Sequence, residues 1–447
     1  MNKISININF NNNCNQNCSY CFRNKTISSI PKKVLYQKIQ GLVETYLQDS
    51  ITIFTIGGMS ELITSKKEVL EFLHDIPYLM RYFFTEDDFI SMDNFLGKIE
   101  VSSLEELNTV VSSKDFFDFL YSKIDLSNDE YFNEVLKTYE GEKWNILWLN
   151  NYILRKLYPE EFKSKVPSYC SILYFTNGTE LDKDFFNEIK KFYWSDKGKV
   201  IRIALSVDGP EELHDKHRGK GTYKKVMDTY NYIKKDNLLC LNHIGATITS
   251  SIEDFYEYFK YFYDTFGKDS SISFSFIRDN PKFWYNTDTF NILADKLNKY
   301  YDRVKQDIIQ HKNIGLLNFY LSNRFLNTIQ LLHKPNNNIF RCEIEKQFYI
   351  DGSGNVTNCF NNNFKINLKN DKIIQKHPLT YMEHLNVNNL IFCKDCDLKG
   401  VMCGGPCYAS LTKDPEYVKI ECKINHIIYE RCKELYSYLK DILEEES

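Results

Sequence analysis

Cysteine carries the most conspicuous chemistry in these 447 residues. Eleven of the 13 fall in two groups: Cys14, Cys18 and Cys21 near the start, and eight between Cys342 and Cys432. An odd count and a polar, Asn-rich N-terminus without a long apolar run argue against a secreted disulfide framework. In a reducing compartment, clustered cysteines more often bind metal. The first group reads Cys14-x3-Cys18-x2-Cys21 and follows at once on Lys3–Phe10, whose polar and apolar residues alternate as in a strand. Thiolates are the usual ligands of iron–sulfur clusters, and a cluster held by protein alone takes four. Three within eight residues can wrap one corner of a cubane and leave one iron open to a bidentate amino acid. A zinc site that borrows a distant fourth ligand is the alternative, although zinc motifs favour paired C-x2-4-C units.

The second group reads Cys342-x11-Gly354-x4-Cys359, then Cys393-x2-Cys396-x6-Cys403-x3-Cys407, then Cys422 and Cys432. Eight cysteines in the last 106 residues, one pair spaced C-x2-C, indicate metal in their own right, iron–sulfur or one or two structural zincs. Gly352 and Gly354 separate strand-like Gln347–Ile350 from Asn355–Cys359, which predicts a hairpin bringing Cys342 towards Cys359. Cys432 lies on an amphipathic helical stretch from His426 to Leu443. Cys170 and Cys240 stand in apolar surroundings and read as buried hydrophobes.

The elements that must position these groups alternate. A helical stretch from about Lys32 to Leu47 precedes Ile51–Ile56, a β-branched run stopped by Gly57-Gly58. Further strands are expected at Ser171–Phe175, Val200–Val207, Ala246–Thr249 and Ser271–Ile277, separated by helical sequence such as Ile252–Tyr263. Turn residues close them at Thr176-Asn177-Gly178 and Asp208-Gly209-Pro210. That order predicts a parallel α/β architecture with its chemistry on loops at the carboxyl ends of the strands. Residues 63–170 break the rhythm: they read as helices, with 12 Lys/Arg against 20 Asp/Glu, and are taken as an acidic insertion.

The C-x3-C-x2-C triplet and the aromatic Phe22 after a first strand resemble the signature of radical S-adenosylmethionine enzymes. The resemblance implies a [4Fe–4S] cluster on Cys14, Cys18 and Cys21, with S-adenosyl-L-methionine chelating its open iron. One electron then yields a 5′-deoxyadenosyl radical that takes a hydrogen atom from substrate. It also implies cofactor-binding roles for Gly57, Gly58 and Glu61, since the family's glycine-rich turn usually ends in Glu. Here Met59 stands at that place and Glu61 follows two residues later. The stretch from Ser206 through Asp208, His214 and Asp215 to Arg218-Gly219 resembles the fourth-strand segment of peptide-modifying members. Ser206 is expected near the ribose or carboxylate, and Arg218 as a charge-assisted contact. No catalytic residue beyond the cofactor sites is assigned.

The C-terminal group resembles a SPASM domain with two auxiliary [4Fe–4S] clusters. By that resemblance Cys342, Cys359 and Cys407 hold one, while Cys393, Cys396, Cys403 and Cys422 hold the other. The Cys396–Cys403 spacing is one residue longer than usual. The implied fold is a partial (β/α)6 barrel over residues 1–280 with 63–170 inserted, a helical linker over 281–340, and a Cys-rich domain over 341–447. The implied function is a maturase that cross-links or oxidises a ribosomally made precursor peptide, fed by an electron donor of flavodoxin or ferredoxin type. A sulfatase-maturing enzyme is the alternative. That branch places an acidic base where this chain has Phe360, and carries another Cys between the positions of Cys342 and Cys359, absent here. A non-catalytic, degenerate or zinc-binding relative is the third reading. With 13 residues ahead of Cys14, no leader-binding domain is expected there, so the acidic insertion is the candidate for contacting a basic leader. The net charge of −4 speaks against nucleic acid, no run reaches membrane-span length, and a cytoplasmic enzyme is expected.

Overall fold

The computed structural model describes residues 2–21, 29–46, 50–57, 61–79, 113–137, 143–157, 170–180, 182–190, 201–236, 239–267, 270–277, 285–310, 347–357, 368–369, 372–373, 393, 395–398, 403 and 415–445. Six apolar runs form β1 (Asn2–Ile8), β2 (Ser50–Ile56), β3 (Cys170–Thr176), β4 (Ile201–Ser206), β5 (Leu239–Ile248) and β6 (Ile272–Phe276). They lie side by side in chain order, each parallel to the next. Sequence neighbours become sheet neighbours because a parallel pair needs a crossover, and a helix supplies it. Beyond β1 the sheet continues through β7 (Gln347–Ile350), parallel to β1, and β8 (Val356–Thr357), antiparallel to β7. The expected Gly352/Gly354 hairpin therefore forms, with Ile350 opposite Val356, and it extends the core sheet.

The helices in chain order are α1 (Lys32–Tyr46), α2 (Lys66–Leu79), α3 (Lys114–Tyr121), α4 (Glu130–Lys137), α5 (Lys143–Leu157), α6 (Lys183–Lys190), α7 (Glu211–Arg218), α8 (Thr222–Lys235), α9 (Phe255–Phe266), α10 (Phe290–Ile309) and α11 (Pro415–Glu445). The stretch expected as a helical insertion holds α2 to α5 among the described residues. Of these α2 packs on α1 and α6 and carries Phe72 between the rings of Phe10 and Phe54, so it is the β2–β3 crossover. Helices α3 and α4 pack on α5, which leans on α2. Residues 311–340 of the expected linker lie outside the described residues.

Alternate strand residues set the faces. Ile6, Ile8, Phe54, Ile56, Tyr174, Ile203, Ile244 and Ile248 are buried against the helices. Asn7, Phe175, Ser206 and Thr247 point the other way and are half-buried. At the β6 edge the helix layer is aromatic. Helix α9 starts where the Asp254 carboxylate accepts from the backbone N–H groups of Tyr256 and Glu257, and stops at Gly267 (φ +90°). Its Phe259 ring lies 4.8 Å from Phe274 of β6 and 5.2 Å from Tyr300 of α10. Offset aromatic pairs add about 0.5–1.5 kcal/mol each beyond their buried area. Helix α10 in turn packs on α11, with Cys432 against Tyr301 and Lys305 paired to Glu434.

Phe259 is the ring shared by strand, crossover helix and the C-terminal helix pair. Phe259→Ala should lower unfolding stability by about 3–5 kcal/mol, read as a fall in the denaturant midpoint. A change below about 1 kcal/mol would mean that this cluster is not what attaches α10 to the sheet.

Candidate active site

All six parallel strands end at one edge, where the loops of such sheets collect ligands and reacting groups. From β1 the chain enters an irregular segment, residues 9–21, that carries the first three cysteines. Its asparagines tie it down. Asn9 N–H donates to the Ile350 carbonyl (2.9 Å), and Asn11 Nδ2 to Ser65 Oγ (2.6 Å) and the Thr64 carbonyl (3.1 Å). Asn12 Oδ1 accepts from Gly352 N–H (3.3 Å), and the Asn13 carbonyl accepts from Glu61 N–H (2.9 Å). The loop is thus fastened to β7, to the turn after β2 and to the start of α2 before any ligand is considered.

Cys14, Cys18 and Cys21 are half-buried free thiols. Backbone Gln16 N–H points at Cys14 Sγ (3.5 Å), as does Asn177 Nδ2 (3.9 Å). Burial pushes the Cys18 thiol up to about 11; Arg218 opposes this, while Asp208, Cys21 and Cys14 add to it. Three soft donors gathered on one loop, with the other two disfavouring the Cys18 thiolate, are a set completed by positive charge. That chemistry fits an iron–sulfur cluster, whose irons require thiolates and compensate them.

The other expected cofactor contacts stand around this loop. Gly57 has φ +87°, and a Cβ there would lie 2.5 Å from the Phe175 carbonyl oxygen, so only glycine fits. Gly58 and Met59 lie outside the described residues. The buried Glu61 carboxylate accepts from Thr176 Oγ1 (2.5 Å) and Asn177 N–H (2.8 Å). Asn177 in turn donates to Asn15 Oδ1 (2.7 Å). Glu61 therefore reaches the cysteine loop through the β3 turn. Ser206 ends β4 opposite Gly245, half-buried on the face turned from the helices.

One inward residue escaped the sequence reading. Ile203 of β4 pairs with Leu241, yet Ala204 pairs with His243, so Asn242 is an extra residue in β5. A one-residue shift reverses every following side chain, and this bulge turns His243 onto the Ala204 face. There its ring meets Phe175 edge-on at 5.3 Å, and burial lowers its pKa, keeping the imidazole neutral at neutral pH. The same break hid the first half of β5, because Asn242-His243 interrupts the apolar run.

The segment after β4 is a buried polar knot. Asp208 Oδ2 accepts from Tyr20 Oη (2.5 Å) and Arg218 Nε (2.7 Å); Oδ1 accepts from Arg218 Nη2 (3.0 Å) and Thr247 N–H (3.1 Å). Burial raises the carboxyl's pKa, but the Arg218 charge and these hydrogen bonds outweigh it and hold the group below the usual carboxylate range. Next to it Ser19 N–H donates to the His217 carbonyl (2.8 Å). Ser19 Oγ lies 3.0 Å from His217 Nδ1, and Thr249 Oγ1 lies 3.2 Å from Nε2. Both residues between Cys18 and Cys21 are therefore gripped by this segment. Arg218, expected at the nucleotide, has its fork on Asp208. His214 Nδ1 accepts from Asp208 N–H (3.3 Å), so the imidazole is neutral with its proton on Nε2.

In the C-terminal region, Cys393, Cys396, Cys403 and Cys422 come together. Burial raises the Cys422 thiol to about 11, followed by the effects of Cys403, Cys393, Glu421 and Cys396. Four converging thiols fit a fully protein-ligated cluster. His426, one turn after Cys422 on α11, brings Nε2 to 3.8 Å from Cys396 Sγ, a neighbour the sequence reading missed. Cys342, Cys359 and Cys407 lie outside the described residues. Cys432 is fully buried between α10 and α11 with its thiol on Tyr301, a helix-packing position.

No protein-family model matches the chain, and no curated protein matches it. Among solved structures it is similar to native anSMEcpe with bound AdoMet and Cp18Cys peptide, at TM-score 0.58 and 15% identity over 99% of both chains. A polyhistidine-tagged form of anSMEcpe with bound AdoMet gives TM-score 0.59 and 14% identity over 99% of this chain and 96% of that one. The chain shares the fold of anSMEcpe. The expected α/β class is thereby met, and at such identity the likeness is one of fold. Among the described residues no helix is long and apolar enough to cross a membrane.

Within this fold the buried knot has a pH signature. Burial lowers the His214 pKa from 6.5 to about 4, ahead of the opposing pull of Asp208. The unfolded chain takes up that proton first, so the contribution is complete above about pH 6.5 and is lost as pH falls towards 4. The loss reaches up to about 3 kcal/mol. Urea midpoints measured from pH 7.5 to 4 should show the slope, and His214→Phe should flatten it. An equal slope in the variant would assign the effect elsewhere.

Proposed function

We propose that this protein is a radical S-adenosylmethionine oxidoreductase that modifies a side chain of a peptide or protein, a ribosomally made precursor peptide being the substrate. The observation that carries the reading is the gathering of three half-buried free thiols on one pinned loop at the carboxyl end of β1. Such a set calls for a soft, multiply charged partner, and three ligands leave a cubane one iron short of protein donors. anSMEcpe, whose fold this chain shares, is solved with AdoMet and with the Cp18Cys peptide bound, which supports a nucleotide cofactor and a peptide substrate here. When bound, the cluster and S-adenosylmethionine supply one-electron sulfonium cleavage and abstraction of a hydrogen atom from substrate.

The chain's own residues divide the remaining work. Cys14, Cys18 and Cys21 hold the iron. Gly57 lets the β2 turn close against β3, and Glu61 holds Asn177 beside Cys14. Ser206, Gly245 and Thr247 leave a polar, small-residue wall on the face turned from the helices, room that a substrate side chain requires. Cys393, Cys396, Cys403 and Cys422 hold an auxiliary [4Fe–4S] cluster, and Cys342, Cys359 and Cys407 are assigned to a second. Residues 1–280, 281–340 and 341–447 serve as catalytic core, linker and SPASM unit in the cytoplasm, where a flavodoxin- or ferredoxin-type donor supplies electrons.

Anaerobically reconstituted protein should be brown, release 5′-deoxyadenosine from S-adenosylmethionine under strong reductant, and contain iron in place of zinc. Replacing Cys14, Cys18 and Cys21 together by Ala should abolish that release while keeping roughly two-thirds of the iron, since the auxiliary sites have their own ligands. A colourless protein, or complete iron loss in the triple variant, would overturn the assignment. Peptides encoded beside this chain are the substrates to test. Formylglycine in a sulfatase peptide, detected by mass, would instead identify a sulfatase-maturing enzyme.

A further inference from the structure

The knot after β4 touches the iron-site loop at the two residues between its second and third cysteines. Those residues carry no ligand themselves, so their contacts decide where Cys18 and Cys21 stand relative to the sheet. The Tyr20 contact ends on a carboxylate at which four hydrogen bonds meet. An ionised aspartate offers about four acceptor positions. Asp208 fills them with Tyr20 Oη, two donors of Arg218 and Thr247 N–H, and none is left for a nucleotide. The partners come from the cysteine loop, from α7 and from β5, while Asp208 itself closes β4. The Arg218 guanidinium is nearly as enclosed as the carboxylate, at 9% and 1% exposed, and stands 5.7 Å from the centre of the Tyr20 ring. Tyr20 has further support from the His217 ring, whose centre lies 5.7 Å away.

We propose that Asp208 is a positioning residue whose ionised carboxylate locks the Cys18–Cys21 segment onto β4 and β5, and that Arg218 acts on the site through that carboxylate. The inference deepens the reading of this loop as an iron site and assigns the block from Asp208 to Arg218 to loop geometry. Its physical basis is that a short irregular loop loses conformational freedom only if something holds each residue. Charge-assisted hydrogen bonds in a water-free setting hold best. The Ser19–His217–Thr249 chain is a second, neutral tie to the same two strand ends, which limits how far the loop can move once the first is cut.

The test uses the full-length chain with three substitutions. Asp208→Asn leaves Arg218 buried without its partner and is liable to unfold, so Tyr20→Phe and Arg218→Lys carry the weight. Tyr20→Phe keeps the ring and removes one hydrogen bond to a charged acceptor; Arg218→Lys keeps the charge and removes the fork. The first readout is amide hydrogen exchange of residues 14–21, which needs neither cofactor nor substrate. In both variants exchange there should rise about tenfold or more, with β1 to β4 unchanged. The second is the change that S-adenosylmethionine makes to the EPR spectrum of the reduced, reconstituted protein. Both variants should need about tenfold more nucleotide for it while retaining wild-type iron. Wild-type exchange in Tyr20→Phe would overturn the proposal. So would a nucleotide defect confined to Arg218→Lys, which would mean that Arg218 contacts the nucleotide directly. If wild-type protein showed no response to S-adenosylmethionine, the functional reading would fail, whereas the exchange experiment would still decide the role of Asp208.

Discussion

On the proposed function, a loop that presents three thiols to a bulky inorganic partner has to be rigid without being covered. Covering it would exclude the partner, and leaving it unsupported would scatter the ligands. The structure meets the constraint by placing buried polar groups beneath the loop instead of apolar residues around it. Asn11, Glu61, Asn177, Asp208 and His217 are all nearly enclosed, and each bonds within the loop, to it, or to a residue that touches it. Such groups are costly to bury singly and stable only when fully paired, which makes the arrangement specific as well as stiff. The parallel sheet is what makes it possible, because it delivers the ends of β1 to β5 to one edge at a spacing that short side chains can bridge.

Much of this was legible in the sequence, for identifiable reasons. The strands were visible because a parallel sheet buried on its helix face requires dense β-branched and aromatic runs, as in Ile51–Ile56 and Ser171–Phe175. The cysteines were visible because thiols at such close, regular spacing have no role in packing a strand or a helix. What escaped were features set by pairing across strands. The bulge at Asn242 exists only relative to β4, so neither the full length of β5 nor the inward turn of His243 could be read from one strand. Asp208 was legible as a turn residue, since Asp-Gly-Pro reverses a chain, but its partner Tyr20 lies 188 residues away. Arg218 and Glu61 were noticed for their charge, and the structure gives both a partner within the protein. Charge in a site motif identifies the neighbourhood before it identifies the contact.

The attachment of β7 and β8 to the core sheet was also invisible, because their four- and two-residue runs carry no signal of which edge they join. It matters to how the two cysteine groups are held. On one side Ile350 and Gly352, at the end of β7, bond to Asn9 and Asn12 just ahead of Cys14. On the other side a continuous packing path leads from the sheet to the second group. Phe274 of β6 meets Phe259 of α9, Phe259 meets Tyr300 of α10, and the adjoining Tyr301 meets Cys432 of α11, the helix that bears Cys422. Lys305–Glu434 and Arg431–Asp302 add charged ties between the last two helices.

The two cysteine groups are thus tied to the same sheet, the first beside β7 and the second through β6 at the far side. Close-packed contacts of this kind transmit position well, since an interior without voids has little room to yield. The tie at Phe259 is apolar and the tie at Asp208 is ionic, so the two respond to different insults. Acid first weakens the frame through His214, whose buried imidazole stays neutral while the unfolded chain is protonated, and only at lower pH through the Asp208 carboxylate. Loss of aromatic packing would loosen the C-terminal helices and leave the knot beside Cys18 intact. Both cysteine groups are mostly half-buried, and holding them with forces of different kinds means that no single insult loosens the two together.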